Sequence, residues 1–295
     1  MILAIETPAG RDPVEAYEQA RAELQRAKRT QALTGAVLFL AALAAAVWVG
    51  EVSLVTLVEG LPGFTNYLSD IAPRLRPDHL FRDLGEWYWA LGRWLGFLWD
   101  TILIAFTGTL LGVAGALILC FPASSNLLRN RWIYFVARRL TEIARAVPEL
   151  VYALIFVFAF GLGPFAGTLA IAVHTAGALG KLFSEANENV DPGPIEGVRA
   201  AGGDWFQGIR YGVVPQVLPT YLSYSLLRFE INVRSASVIG FVGAGGIGQE
   251  LMFVIREFIY TDVSAIVLLI LMTVVIIDIS CERLRHRLIG KEALR

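Results

Sequence analysis

Long apolar runs constrain this chain more than anything else in it. They lie at about residues 33–58, 95–120, 142–160, 165–183, 217–241 and 263–279. A helix needs about 20 apolar residues to cross a hydrocarbon core roughly 30 Å thick, and these runs reach that length. Charged residues make up 17% of the chain and hydrophobic ones 56%, with a mean hydropathy of +0.58. A soluble domain has roughly a quarter of its residues charged and cannot cover so much apolar surface. The sequence therefore predicts an all-α, polytopic membrane protein with about six transmembrane helices. The net charge of −1 decides little, because placement matters more than the sum in such a protein.

Placement gives the orientation. With the N-terminus inside, six spans put the basic segments 11–29, 129–145 and 283–295 on the inner side. The loops 59–92 and 242–262, poorer in basic residues, then fall outside, as the positive-inside rule requires. Arg129, Arg131, Arg138 and Arg139 mark the inner loop, and Arg283, Arg285, Arg287, Lys291 and Arg295 follow the last span. Both termini are expected in the cytoplasm, and no cleaved signal peptide is expected at the polar start. Asp12 reads as a helix cap before Pro13 and Glu15, opening a helix within residues 1–31 with Val14, Tyr17 and Leu24 on one face, either an N-terminal amphipathic helix on the inner membrane surface or a solvated helix end leading into the first span. Residues 32–94 read as the first span and an external loop rich in Trp and Tyr, 95–284 as the core, and 285–295 as a tail. Cys120 and Cys281 fall at inner helix ends, where neither a disulfide nor a metal site is expected.

Between the fourth and fifth runs lies a polar, glycine-punctuated island, Glu196 to Pro215 (EGVRAAGGDWFQGIRYGVVP). It reads as a short helix from Ile195 to Ala201, a break at Gly202-Gly203, and a second short helix capped by Asp204, with Gln207 completing a capping box. Gly212 and Pro215 punctuate the chain before the next run. Such an element in water between two spans is a docking site for something outside the membrane.

Ionisable groups inside spans are functional candidates, because a charge near the bilayer centre costs at least about 2.5 kcal/mol. Arg228, Glu230, Asn232 and Arg234 share one run and must face a bundle interior, a partner or a wet cavity. Pairing of Arg228 with Glu230, or of Glu230 with Arg234 at i,i+4 spacing, is the structural alternative. Glu149, beside a helix-bending Pro148, reads either as a buried carboxylate or as one solvated near the inner surface. His174 sits in mid-span, where a bond to a neighbouring helix and contact with a substrate both remain open. Gly243, Gly245 and Gly248 satisfy GxGxxG, but no strand–helix alternation surrounds them and no P-loop lysine follows. Together with Gly246 they read as a tight outer turn near a gate.

The island resembles the inward-facing loop of importer-type ABC permeases: Glu-Ala-Ala, three residues, Gly, nine residues, Ile-x-Leu-Pro. Glu196-Gly197-Val198, Gly202 and Gly212-Val213-Val214-Pro215 stand at those offsets, with both alanines, the Ile and the Leu replaced. The wording from Asp191 to Pro219, with RAVPELV and INVRSASVIGFVGAGGIGQEL, is similar to the phosphonate-uptake branch of this family. The resemblance covers about residues 95–290. It implies a type I importer permease, without an ATP site of its own, that forms the pathway as a homodimer in a bacterial inner membrane. ATP and Mg would be bound by two separate cytoplasmic ATPase subunits, and an external binding protein would deliver a phosphonate or related phosphorus oxyanion. No nucleic-acid partner is implied.

In that reading Glu196, Gly197, Val198, Ala200, Ala201, Gly202 and Pro215, within a loop spanning 190–213, couple to the ATPase. Arg234, Ser235 and Ser237, with Glu230, His174 and Glu149, are the expected pathway groups, since cations and hydroxyls suit an oxyanion in transit. A permease for another small solute such as methionine, a proton-coupled transporter using Glu149, His174 and Glu230, and a dinucleotide-dependent membrane oxidoreductase are the alternatives.

Overall fold

The computed structural model describes residues 13–73, 76–128 and 130–289, in two compact units that divide at Leu68/Ser69. The expected cap at Asp12, and Arg129, Lys291 and Arg295, lie outside the described residues.

The first unit carries α1 (Pro13–Val49) and most of α2 (Leu54–Ile71). The amphipathic start and the first span form one continuous helix, of which Tyr17–Val49 is long and apolar enough to cross a membrane. That span ends earlier than residue 58. Gly50 and Glu51 break the helix, with Glu51 in the left-handed region at φ 51°, and the Ser53 hydroxyl accepts from the Thr56 amide as α2 begins. Residues 59–71, expected as loop, belong to α2, which carries Pro62 inside it.

The second unit is built around α7 (Pro164–Glu188), which packs against α4 (Leu91–Cys120), α5 (Arg131–Ala146), α6 (Glu149–Phe160) and α10 (Val214–Ile239). Association of helices in lipid depends on close backbone approach, which small residues allow. A Cβ added at Gly108 or Gly112 of α4 would lie 2.7 Å from the Ile171 side chain or 2.6 Å from Thr175 of α7. Gly177 and Gly180 of α7 meet Ala144 and Thr141 of α5 in the same way. The unit holds three apolar clusters among its described residues. Trp94, Leu98, Ile247 and Ile266 form the first; Ala105, Ile171, Ala236 and Ile239 the second; Leu179, Phe183, Ile195 and Val213 the third. Outward-facing side chains are also apolar, with Ile118 74% and Phe158 87% exposed. Such a surface suits lipid rather than water.

The expected single span 142–160 is instead two helices, α5 and α6, bent by 89°. Val147 is extended (φ −83°, ψ 127°) ahead of Pro148, because the proline ring disfavours a helical residue before it. Beyond α10, the expected external loop contains α11 (Ile247–Arg256), inclined 43° to the preceding helix. The last span, α12 (Tyr260–Ile289), runs on into the segment expected as a tail. Among the described residues four helices are long and apolar enough to span, or up to six segments if each bent pair is one span.

Short α3 (Leu80–Trp87) is fixed by ion pairs and rings. Asp83 accepts from both the Arg76 backbone and its guanidinium, which hold the carboxyl down to about 2. The Trp87 and Trp89 indoles donate to the start of α12, at the Thr261 carbonyl and the Asp262 carboxylate. Arg93 pairs with Glu250 of α11 at 2.9 Å.

Candidate functional site

The island forms α8 (Pro192–Ala200), one turn at α9 (Trp205–Gln207), and a π-helical segment, Gly208–Val213, that runs into α10 without a break. The second helix is therefore the base of α10, and Gly212 does not interrupt it. Its hydrogen atom side chain lets the Ile195 Cα approach to 3.0 Å from where a Cβ would stand. The expected break is present. Ala201 ends α8, and Gly202 takes φ 84°, the left-handed geometry that glycine adopts without steric cost. Asp204 and Gln207 form the capping box reciprocally, each bond 2.8 Å long. Replacing Asp204 by alanine should cost about 1 kcal/mol of local stability; faster amide exchange at Gln207 in the variant would show it.

Two anchors hold this segment on the helical unit. The Trp205 indole donates to the Leu127 carbonyl at 2.8 Å. Gln216 bridges to Asp191, accepting from its amide at 3.0 Å and donating to its carbonyl at 3.1 Å. Ile195 is buried and Val198 half-buried, so the inner edge of α8 is fastened. Glu196, Gly197, Arg199, Ala200, Ala201 and Gly202 are exposed, as are Pro215 and Phe206, the latter at 73%. The outer face of α8 thus carries one acid, one base and small residues on a rigid mount.

A second set of polar groups lies inside the helical unit. Glu149 opens α6, His174 is central in α7, and Arg228 is central in α10. Arg228 donates to Glu149, and one of its nitrogens also lies against Nδ1 of His174; that Nδ1 is 2.8 Å from the same carboxylate. Their side chains are 12%, 11% and 17% exposed in the order Arg228, Glu149, His174, so Glu149 is largely enclosed by protein. Ser235 also lies beside the Glu149 carboxylate. Arg228 Nε donates to Thr175, and Asn232 Nδ2 donates to Thr175 and to Thr109 at 3.0 and 2.7 Å.

The expected pairs within α10 do not form. Glu230 faces α12 and lies 3.6 Å from Arg285, while Arg234 pairs with Asp278 of α12 at 3.2 Å. Arg228 takes Glu149 instead, because residues two positions apart on a helix, as Arg228 and Glu230 are, do not face each other. The six expected pathway groups thus separate. Glu149, His174 and Ser235 stand together. Arg234 and Ser237 line an open apolar groove with Phe241, Leu251 and Leu271. Glu230 stands on the α12 side, near Arg234 and Asp278 and away from Glu149 and His174, so the supposed relay of Glu149, His174 and Glu230 is not contiguous. Thr175 and Thr109 are not singled out in the sequence, whereas Arg228 and Asn232 are, as groups that must face an interior, a partner or a wet cavity. For Arg228 a signal existed: a cation amid an apolar run needs a partner wherever it points.

The glycine turn is tight. Gly243, Gly245 and Gly246 have φ of 84°, 88° and 75°. The Gly163 amide donates to the Gly243 carbonyl, and the Ile247 amide to the Thr101 hydroxyl. A Cβ on Gly248 would lie 1.9 Å from the Ser237 carbonyl oxygen. No strand occurs among the described residues, so the GxGxxG pattern has no βαβ context.

Apolar helices around an enclosed polar centre, with a polar segment between two of them, are the architecture of a membrane protein of several spans. The comparisons with known proteins place it more narrowly. Residues 108–290 match the family described as binding-protein-dependent transport system inner membrane component, and the chain belongs to that family. It is 37% identical over 243 residues to the phosphite transport system permease protein PtxC of Stutzerimonas stutzeri, covering 82% of this chain and 84% of the relative. Over 121 residues it is 52% identical to a cryptic phosphonate transport system permease protein of Escherichia coli, covering 41% of this chain and 99% of that one. An inward-facing structure of the MetNI methionine ABC transporter shares the fold, with a TM-score of 0.57 and 20% identity over 66% of this chain and 95% of that one. The protein is the permease component of an ABC importer and spans the membrane several times.

Proposed function

We propose that this permease carries phosphite, phosphonates or a closely related phosphorus oxyanion inward, driven by ATP hydrolysis on separate subunits. The likeness to the phosphite permease of Stutzerimonas stutzeri, extending over four-fifths of both chains, carries the substrate class. Two copies enclose the pathway, both termini lie in the cytoplasm, and an external binding protein delivers the anion. The outer face of α8 docks in a cleft of the ATPase. Its support is physical: α8 is short, exposed on one side and fastened on the other by Trp205 and Gln216. A push from the ATPase there passes into α10 through the Gln216–Asp191 bridge and through Ile195, packed on Gly212 of the π-helical base. The chain itself supplies no nucleotide site in this scheme, and ATP and Mg are held by the ATPase.

The test is uptake into proteoliposomes holding the complex of this chain with its ATPase and binding protein. Phosphite or methylphosphonate should accumulate on ATP addition, and accumulation should persist when a protonophore collapses the proton gradient. Accumulation of methionine with none of phosphorus oxyanions would overturn the substrate class, and dependence on the proton gradient would overturn the ATP coupling.

A further inference from the structure

We infer that Arg228, His174 and the N-terminus of α6 form a transient station for a tetrahedral phosphorus oxyanion inside the membrane, with the Glu149 carboxylate as its built-in placeholder. The inference rests on the substrate class proposed above and assigns it a place in the chain.

Three features attract negative charge to this point. Arg228 is a permanent cation, because a guanidinium is not deprotonated in proteins. The α6 N-terminus is the second: helix starts carry unpaired amide hydrogens and partial positive charge, and Pro148 at the cap provides no side-chain acceptor for them. Half-helices of a broken span that aim an N-terminus at an anion are a recurring device of transporters, and α5 and α6 are such a broken pair, bent by 89°. His174 is the third when its Nδ1 carries the hydrogen and donates, as its 2.8 Å approach to the Glu149 carboxylate allows. Against these stands one anion, Glu149, the first residue of α6.

A neutral permanent brace between helices would need only the pair. This cluster has more. Thr175 and Asn232 extend it, and Oδ1 of Asn232 is buried without a hydrogen-bond partner. A phosphorus oxyanion in its singly charged form has unprotonated oxygens for a guanidinium and a P–OH that donates. On arrival one oxygen takes the place of a Glu149 oxygen on Arg228. Glu149, still ionised, accepts from the P–OH, so the two anions are joined by a proton rather than repelling. No covalent bond changes. Release follows because the carboxylate returns to Arg228 as the anion leaves. A bare arginine would hold the substrate too tightly for transport, and a competitor built into the same helix prevents that. Sulfate, which has no proton to offer Glu149 near neutral pH, is a poor occupant.

The experiment uses the same reconstituted complex, with phosphite and methylphosphonate as probes and copurifying ATPase as the check of assembly. Arg228→Gln is expected to lower the uptake rate at least tenfold with the complex assembled, and Arg228→Lys less. The double variant Glu149→Gln/Arg228→Gln separates a station from a brace. A brace survives when both charges are removed together, since a neutral hydrogen-bonded pair replaces a buried ion pair at little cost. The station has then lost its cation, so uptake should stay at the Arg228→Gln level. Recovery of the double variant to within threefold of the unaltered protein would overturn the inference. Should Arg228→Gln fail to assemble, the assembled double variant and Arg228→Lys give the same decision. An unaltered complex that carries no phosphorus oxyanion at all would instead sink the substrate class on which the inference rests.

Discussion

Gly197→Trp is expected to abolish uptake while leaving the permease folded. Gly197 lies in α8 with its Cβ direction open, nothing within 4 Å of the position a side chain would take. Glycine is also the poorest helix former after proline, so a tryptophan there should stabilise α8 itself by a few tenths of a kcal/mol. The fold therefore loses nothing. What the indole fills is the space in front of the exposed face that the ATPase is proposed to occupy. A buried interface disturbed at its centre forfeits 2 kcal/mol or more, which is about 30-fold in affinity. Uptake should fall by at least that factor, and ATPase should no longer copurify with a chain that accumulates and melts as before. Gly197→Ala is the companion variant: it adds one methyl to the same face and should retain most uptake. An assembled, fully active Gly197→Trp complex would show that α8 docks elsewhere or by another face.

The physical reason such a variant can be designed at all is that the local signals in this segment were strong enough to read in order. Asp204 and Gln207 sit at the one spacing that allows a reciprocal cap, and Gly202 follows the helix where a left-handed residue is needed. The spans were legible for a similar reason, since bilayer thickness demands a length that few other constraints impose. Signals that depend on distant partners were not legible. Arg228 and Glu230 have side-chain partners 79 and 55 positions away along the chain, in α6 and α12, and nothing in their own helix reveals that. Pro148 announced a disturbance, but whether a proline kinks a helix or ends it depends on what packs against each half. Here α7 receives both halves, α5 through Gly177 and Gly180 and α6 through His174, so a right-angled break costs no packing. Residues 59–71 failed for the opposite reason: Gly60, Pro62 and Gly63 carry the local signature of a loop, yet α2 continues through them.

Gly248→Val is the second large effect, and it should look different in every measurement. The Cβ would stand 1.9 Å from the Ser237 carbonyl oxygen and 2.9 Å from its carbon, both backbone atoms near the end of α10. No rotamer relieves a backbone clash, so α11 has to leave α10. That movement would open the cluster of Leu251, Ile247 and Trp94 and pull the Ile247 amide from Thr101. Overpacking typically costs 1–3 kcal/mol where side chains can adjust; here they cannot, and a loss of about 4–5 kcal/mol is a large share of a stability of roughly 5–15 kcal/mol. The variant should be recovered from membranes in small amounts, melt far below the unaltered chain, and lose uptake in proportion to the protein lost. Gly96→Ala, on α4 with open space around it, is the matched control and should change none of these. The proportion is the decisive quantity. If Gly248→Val accumulates normally and only uptake falls, then the turn from Gly240 to Gly248 is a moving joint between α10 and α11; if uptake per folded molecule is unchanged, it is a fixed corner and the transport motion passes through α10 alone.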